Sequence, residues 1–485
     1  MKLRDLLRDV PLRSTRDDLN AEITSVTPDS RLVKPGALFV AIPGTAKDGA
    51  QFIPQAREKG AAAILTDSDV DDPRAALALM AANFYSRPAE KLSLVGVTGT
   101  SGKTTTTRMI ESVFDASGEP VGLIGTIEYR AGEEKLTADR TTPDAVVLHE
   151  WFAKMVDAGV HHAVMEVSSH ALALKRTYGI HFAAAVFTNL SREHFDFHKD
   201  FEDYFAAKRI LFDQIDRTHK TAIVNIDDEY GRRLANELGD AAITFGKSDN
   251  AHIHPASDVS IDVEGLRGTV ITPLGKVRVE SSLLGLPNLY NWLGAIGASI
   301  SVDIPVATIE AGIRNLKSVR GRFERVGVAQ AFQPASPTVI VDYAHKPDAL
   351  EKLLHAVRDI AQQRKVTIVF GCGGDRDRGK RPEMGQIAAR LADRIVVTSD
   401  NPRSEDPRAI IDEITNGING KEYAAITDRR EAIARAIAEA SNDDVIVIAG
   451  KGHETYQVAG DQVIHFDDRE EAELALQKKT SRNRT

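Results

Sequence analysis

Apolar residues in this chain come mostly in short unbroken runs, each followed by a longer stretch with helical spacing. The runs Leu92 to Val97, Val121 to Ile124, His162 to Val167, Ala184 to Leu190 and Thr221 to Ile226 predict strands buried on both faces. Continuous rather than alternating apolarity of that kind points to a largely parallel sheet with helices packed on it. Ahead of them, Ala37 to Ile42 and Ala61 to Leu65 are separated by Gly, Pro and Asp clusters, which predicts a small α/β unit ending near Ser86-Arg87-Pro88.

The pattern changes from about Val259 to Ser281, where polar and apolar residues alternate, and an antiparallel hairpin appended to the sheet is expected there. Helical spacing returns at Asn288 to Val302 and Pro305 to Leu316, and Arg320-Gly321-Arg322-Phe323-Glu324 reads as an interdomain hinge. Strand and helix then alternate again, with strands at Thr338 to Val341, Val366 to Phe370, Arg394 to Thr398 and Val445 to Ala449. Each runs directly into polar or glycine-rich residues: Asp342, Gly371 to Asp375, Asp400 to Arg403 and Gly450 to Glu454. Ligands bind at the carboxyl ends of strands in open α/β sheets, so a second binding surface is expected here. The expected architecture is therefore α/β in three domains, residues 1–90, 91–325 and 326–485, with a central parallel sheet and a Rossmann-like last domain.

Composition narrows the class without changing this picture. At 485 residues, 42% hydrophobic and 27% charged, the chain has the balance of a globular protein with several cores. Its one cysteine, Cys372, excludes an intrachain disulfide and a Cys-based zinc site, which fits a reducing compartment. The amino terminus is charged from Lys2 onward and no run has the length of a membrane span, so a cytoplasmic protein without stable membrane insertion is expected. A net charge of -9 argues against a nucleic-acid partner; the basic end, Lys478 to Arg484, reads as a solvated tail.

The strongest chemical signal is the stretch Gly99-Thr100-Ser101-Gly102-Lys103-Thr104-Thr105, placed between a buried strand and a helix. Glycines let backbone N–H groups approach phosphate oxygens, the helix amino terminus favours anions, Lys103 adds charge, and the Thr104 hydroxyl suits Mg²⁺. It is a variant phosphate loop, because the strict pattern has glycine where Val97 stands. A second strand delivers Glu166 to the same sheet edge, as an oxygen ligand for magnesium or equally as a capping or salt-bridged carboxylate. His194, Asp196 and His198 follow a third strand; a metal or proton-transfer role stands against that of ordinary loop residues. On the helix from Phe201, Lys208 falls on the apolar stripe of Phe201, Tyr204, Phe205 and Leu211. Such a lysine either snorkels to water or, kept neutral by burial, reacts with carbon dioxide to give a metal-binding carbamate. Asp400-Asn401-Pro402-Arg403 offers a carboxylate for an ammonium group and a planar fork for a carboxylate, as an amino acid requires; a capped turn with a surface arginine is the rival.

Taken together, these residues resemble the Mur ligase family, which joins amino acids to the peptidoglycan precursor with ATP. The resemblance spans essentially the whole chain: Asp29-Ser30-Arg31 with Pro35-Gly36; the phosphate loop, Glu166-Val-Ser-Ser-His170 and Ala206-Ala207-Lys208; then Gly321 to Glu324, Asp342-Tyr-Ala-His345, Gly373-Gly-Asp-Arg376 and Gly450-Lys-Gly-His-Glu454. It is most similar to members that add a diamino acid to UDP-N-acetylmuramoyl-L-alanyl-D-glutamate, and Asp400 to Arg403 resembles the form used for meso-diaminopimelate. That substrate has a second carboxylate for Arg403 to grip, whereas L-lysine, the alternative, has none.

The resemblance implies ATP and Mg²⁺ as cofactors, UDP-N-acetylmuramoyl-dipeptide and meso-diaminopimelate as partners, and a monomer. It implies that Gly99 to Thr105 hold ATP, that Thr104, Glu166 and His194 serve magnesium, and that Lys208 is carbamylated and completes the metal set. Ser30, Thr45, Ala46, Lys47, Thr141, Thr142, Ser168 and Arg176 would hold the UDP-sugar dipeptide. Arg376, Asp400, Asn401, Pro402, Arg403, Gly450 and Glu454 would hold diaminopimelate, while Arg322, Asp342 and His345 would complete the ATP site from beyond the hinge. Lys103, Lys208, His194 and Arg322 are the implied catalytic set. Arg140 and Leu174 stand where relatives often carry Asn and Gln, so some contacts to the sugar-peptide differ. The implied reaction passes through an acyl phosphate. A folylpolyglutamate-synthetase-like ligase fits the first-domain and Asp400 to Arg403 motifs less well, and a phosphate-loop switch or motor leaves Lys208 and the last domain without a purpose.

Overall fold

The computed structural model describes residues 1–44, 48–215, 221–327 and 336–482. Three short parallel strands, β1 (Ser25–Thr27), β2 (Ala37–Val40) and β3 (Ala63–Leu65), form the first sheet in the order β1-β2-β3. The helix Pro73–Phe84 starts where Asp72 accepts from the N–H groups of Arg74 and Ala75, with Pro73 at the first turn. Its inner face, Ala76, Leu77 and Met80, closes a core with Leu3, Leu6, Val26, Leu38 and Val40.

The apolar runs that follow become strands of one eight-stranded sheet: β4 (Ser93–Thr98), β5 (Val121–Ile124), β6 (Glu128–Ala131), β7 (Glu134–Thr137), β8 (His162–Glu166), β9 (Ala184–Phe187), β10 (Ala222–Asn225) and β11 (Ala242–Phe245). Their order is β11-β10-β9-β4-β8-β5-β6-β7. From β11 to β5 every pairing is parallel, while β6 and β7 add an antiparallel ribbon at one edge. Strand β4 lies between β8 and β9, and its carboxyl end opens into the glycine-rich loop. Helices Lys103–Asp115 and Ala145–Asp157 bury apolar faces on this sheet, the second through Leu148, Trp151, Phe152 and Met155.

The alternating stretch does not extend this sheet as expected. It forms a separate one, from β12 (His254–Pro255), β13 (Ser260–Asp262), β14 (Gly265–Thr272) and β15 (Gly275–Ser281), in which β14 pairs with each of the others. The physical reason lies in its burial: Val277, Val279 and Ser281 of β15 are buried and the residues between them are exposed. Alternation of this kind belongs to an antiparallel sheet with one face on a core and one in water.

The last sheet contains β16 (Glu324–Arg325), β17 (Thr338–Asp342), β18 (Val366–Phe370), β19 (Arg394–Val397), β20 (Tyr423–Ala425) and β21 (Val445–Ala449), in the order β16-β17-β21-β18-β19-β20. Only β16 runs antiparallel. A hairpin of β22 (Tyr456–Ala459) and β23 (Gln462–His465) and the helix Asp468–Arg482 follow. Contacts divide the chain into two compact units, one of Met1–Pro255, Val270–Val277 and Tyr290–Gly312, the other of Ala256–Thr269, Arg278–Leu289 and Ile313–Thr485. The second unit thus recruits earlier chain: Leu284 is buried in the core with Ile340, Leu354 and Ile368, and Ile261 and Val263 pack on that core. No described helix is long and apolar enough to cross a membrane.

Candidate active site

Within the first unit the loop after β4 is shaped by close approach. Gly99 has φ 147°, and a Cβ there would stand 1.9 Å from Thr188 Oγ1, so no other residue fits. Thr188 and Asn189, at the end of β9, fasten the loop tip: Thr188 Oγ1 donates to Ser101 O at 2.7 Å, Asn189 Oδ1 accepts from Ser101 N at 3.0 Å, and Asn189 Nδ2 donates to Ser101 O at 3.1 Å. Lys103 Nζ folds over the loop onto Gly99 O and Thr100 O, both at 2.9 Å. The first turn of Lys103–Asp115 thus presents N–H groups and an ammonium group together, which is an anion site.

Glu166, at the end of β8, is buried beside this loop. Its Oε2 accepts from Thr104 Oγ1 at 2.9 Å and Thr126 Oγ1 at 3.0 Å, and its Oε1 from Thr126 N at 2.7 Å. A threonine hydroxyl and a carboxylate next to a phosphate loop are hard oxygen donors of the kind magnesium takes, so these residues fit that ion. Thr126 was not among the expected residues; nothing in its local sequence marks it, because its role comes from the β5–β6 turn facing β8.

Lys208 has almost no exposed surface, and its Nζ donates to Gly99 O at 2.7 Å over the ring of Tyr204 at 4.4 Å. Burial, reinforced by the charge of Lys103, pushes this amine well below its usual range. A neutral amine is the form that adds to carbon dioxide, and burial shifts Lys208 toward that form. His194 sits in the left-handed region, φ 59°, with its ring 6.2 Å from Tyr204 and 4.8 Å from His170. Among the described residues no group of three or more His, Cys, Asp or Glu could hold a metal by itself.

Thr141, Thr142, Ser168 and Arg176 are brought together next to Glu166. The Thr141 and Thr126 hydroxyls lie 3.1 Å apart, Thr142 Oγ1 bridges Glu166 O at 2.8 Å and Ser168 N at 3.1 Å, and Arg176 Nη1 donates to Thr142 O at 2.7 Å. Burial lowers the affinity of Arg176 for its proton, and Arg140 and Arg74 add to this, with Asp144 opposing. Such a group of arginines favours an anionic ligand. Arg140, the departure noted above, thus adds charge to this surface. Ser30 lies in the first sheet region, its hydroxyl on Gln55 Oε1 at 2.7 Å. Thr45, Ala46 and Lys47 lie outside the described residues.

In the second unit the expected amino-acid residues gather at the ends of β18, β19 and β21. Gly450 has φ 123°, and a Cβ there would stand 2.6 Å from Asp400 Oδ2, which explains the glycine. Asn401 Nδ2 donates to Glu454 Oε2 at 3.0 Å. Arg403, with φ 52°, donates from Nη1 to Gly374 O at 2.8 Å. Arg376 is exposed on the loop after β18. The hairpin holds this segment through its main chain: Arg403 N donates to Val458 O at 3.0 Å and Gly460 N to Arg403 O at 2.7 Å. Behind it, Arg429 and Asp468, both fully buried, form a two-pronged pair at 2.7 Å, and the same guanidinium donates to Ser399 O and Ala449 O. Sequence reasoning missed this pair.

The remaining expected residues lie nearby in the same unit. Burial raises the carboxyl of Asp342 above the usual range while Arg322 pulls the other way, and its oxygens accept from Phe323 N and Ala344 N at 2.7 and 2.8 Å. Arg322 lies over the Tyr343 ring at 4.9 Å, with its Nε buried and, among the described residues, without a hydrogen-bond partner. His345 Nδ1 is 2.8 Å from Tyr343 O, and burial lowers its imidazole below the usual range.

Comparison with known proteins places the chain among known families. The profile of the Mur ligase middle domain matches residues 97–299, that of the Mur ligase glutamate ligase domain residues 321–452, and that of the Mur ligase family catalytic domain residues 22–92. A UDP-N-acetylmuramoyl-L-alanyl-D-glutamate--2,6-diaminopimelate ligase from Gloeobacter violaceus is 46% identical, covering 99% of each chain. The corresponding ligase 1 of Clostridium acetobutylicum is 44% identical over 97% of this chain and 98% of its own. A solved structure of a UDP-N-acetylmuramoyl-L-alanyl-D-glutamate--2,6-diaminopimelate ligase matches with a TM-score of 0.72 at 29% identity, covering 99% of both chains.

Proposed function

Because this chain belongs to the Mur ligase family, with its three-domain architecture, we propose that it is an ATP-dependent ligase adding meso-diaminopimelate to UDP-N-acetylmuramoyl-L-alanyl-D-glutamate. It would work in the cytoplasm, as a monomer, in the making of peptidoglycan precursor. The observation that carries the choice of amino acid is the grouping of Asp400, Glu454 and Arg403 around two strand ends. Two carboxylates beside an arginine suit a ligand end that carries both an ammonium and a carboxylate group. The names of the full-length relatives support the same substrates.

In the mechanism we propose, the loop Gly99 to Thr105 and Lys103 hold the ATP phosphates. Thr104, Glu166, His194 and carbamylated Lys208 would hold magnesium, which when bound offsets phosphate charge. A carboxylate oxygen of D-glutamate attacks the γ-phosphorus, the bond to ADP breaks, and an acyl phosphate forms. The neutral amine of diaminopimelate then attacks the carbonyl carbon, loses a proton and expels phosphate, leaving the amide. Asp400 and Glu454 would hold the far ammonium group and Arg403 the far carboxylate, so that the reacting amine is presented and the acyl phosphate is not left to water. Thr141, Thr142, Ser168, Arg176 and Ser30 would bind the sugar nucleotide, and Arg322, Asp342 and His345 would contact ATP.

The test is phosphate release from ATP in the presence of the UDP-sugar dipeptide, with meso-diaminopimelate or L-lysine as the acceptor. Release with diaminopimelate alone is expected. Release with L-lysine instead would overturn the amino-acid assignment, and release with neither would overturn the ligase.

A further inference from the structure

Lys451, the residue after Gly450 at the end of β21, has no exposed surface. Its Nζ donates to Asn401 Oδ1 at 3.0 Å and lies 3.4 Å from Glu454 Oε2, with the Tyr456 ring 5.6 Å away. The Asn401 amide has one possible orientation: Oδ1 also accepts from Val458 N at 3.0 Å, and a backbone N–H only donates. Nδ2 therefore faces Glu454 Oε2, and the same carboxylate oxygen meets both Asn401 and Lys451. Among the described residues no hydrogen bond reaches Glu454 Oε1, which leaves it to meet a ligand.

We propose that Lys451 is a positioning residue of the amino-acid site, fixing Asn401 and Glu454 in the orientation that receives the ammonium group of the incoming diamino acid. The proposal rests on the ligase reading and deepens it. Lys451 reaches the ligand only through these two side chains. Its charge matters as well as its hydrogen bonds, because Glu454 stands in a mixed field. Arg429 and Lys451 are the cations near it, Asp400 the opposing anion, and Tyr343 and Tyr456 the phenols. Burial raises the carboxyl of Glu454, Asp400 adds to this, and Lys451 holds it down. Without the lysine, Glu454 takes up its proton at higher pH and loses its attraction for a cation.

The experiment is steady-state phosphate release by Lys451→Met, Lys451→Gln, Glu454→Gln and the Lys451→Met/Glu454→Gln double variant across a pH series. Lys451→Met should raise the KM for diaminopimelate about thirtyfold or more, the usual scale for truncating one partner of a buried charge pair, with the KM values for ATP and UDP-sugar dipeptide unchanged. Lys451→Gln, neutral but still a donor, should raise it less. In both, the acid limb of kcat/KM for diaminopimelate should move to higher pH. The double variant should be no worse than Glu454→Gln alone, as expected when one residue acts through the other. An unchanged KM and acid limb in Lys451→Met, additive losses in the double variant, or equal losses toward all three substrates would each overturn the role. Wild-type enzyme without diaminopimelate-dependent release would instead bring down the ligase reading itself.

Discussion

At Lys208 burial and the neighbouring Lys103 both disfavour the ammonium form. In the reading proposed above, carbamylation would convert the amine into an anion that Lys103 attracts, which would link burial to the modification. Replacing Lys208 with Ala should reduce phosphate release to background while circular dichroism stays native; full activity in that variant would rule out the metal-ligand role. His149 is a different case. It is buried against Phe152 with both ring nitrogens unpartnered among the described residues, and burial lowers its pKa to about 4. A depressed imidazole pKa means the unfolded chain binds the extra proton between about pH 6.5 and 4, so stability is lost as pH falls through that window, by up to about 3 kcal/mol. In urea titrations wild type should lose stability more steeply than His149→Phe as pH falls through that window; a parallel fall in both would sink the assignment. The sequence made Lys208 legible because its spacing from Phe201 sets it on the apolar stripe, whereas Thr126 and Asn189 gave no sign. Their roles arise from turns that meet only when distant strands pair.

Among the elements, runs buried on both faces were the most legible. Val121–Ile124, Val366–Phe370 and Val445–Ala449 have the bounds their apolar residues imply, since a strand covered on two sides is built mostly of apolar residues, Thr367 being the one polar side chain in these three. The alternating stretch was legible as antiparallel strands but not in its partner, because alternation states that one face is wet without saying which sheet lies beside it. Arg429 and Asp468 were illegible for a related reason: 39 residues apart in sequence, neither stands out until the two helices that begin with them meet. Their pair ties Ser399 and Ala449, the ends of β19 and β21, to one guanidinium. Arg429→Met alone should cost about 3–5 kcal/mol, the penalty for a buried carboxylate left unpaired, whereas Arg429→Met/Asp468→Leu should recover most of it. Urea unfolding measures both. The double variant should still bind diaminopimelate weakly, because nothing then holds the two carbonyls; a normal KM there would show that the strand ends keep their places unaided.

For the whole molecule, two units with separate cores imply that heat unfolding is not a single two-state event. The calorimetric enthalpy should exceed the van't Hoff value, and a non-hydrolysable ATP analogue at a hundred times its Kd should add about 2.7 kcal/mol to the unit that carries the glycine-rich loop. One transition with equal enthalpies would contradict this. Strand runs and loop motifs made the α/β class and the phosphate loop readable, but not the path by which the chain contributes to the second unit twice before entering it for good. That path has a consequence for synthesis. Leu284 leaves the ribosome well before Ala449, and it belongs to a core that needs both. At ordinary elongation rates the interval is roughly 10–30 s. For that time an apolar side chain waits on a nascent chain without the sheet it will sit on, so the birth of this protein, more than its finished form, is the stage at which this part of its core stands open to water.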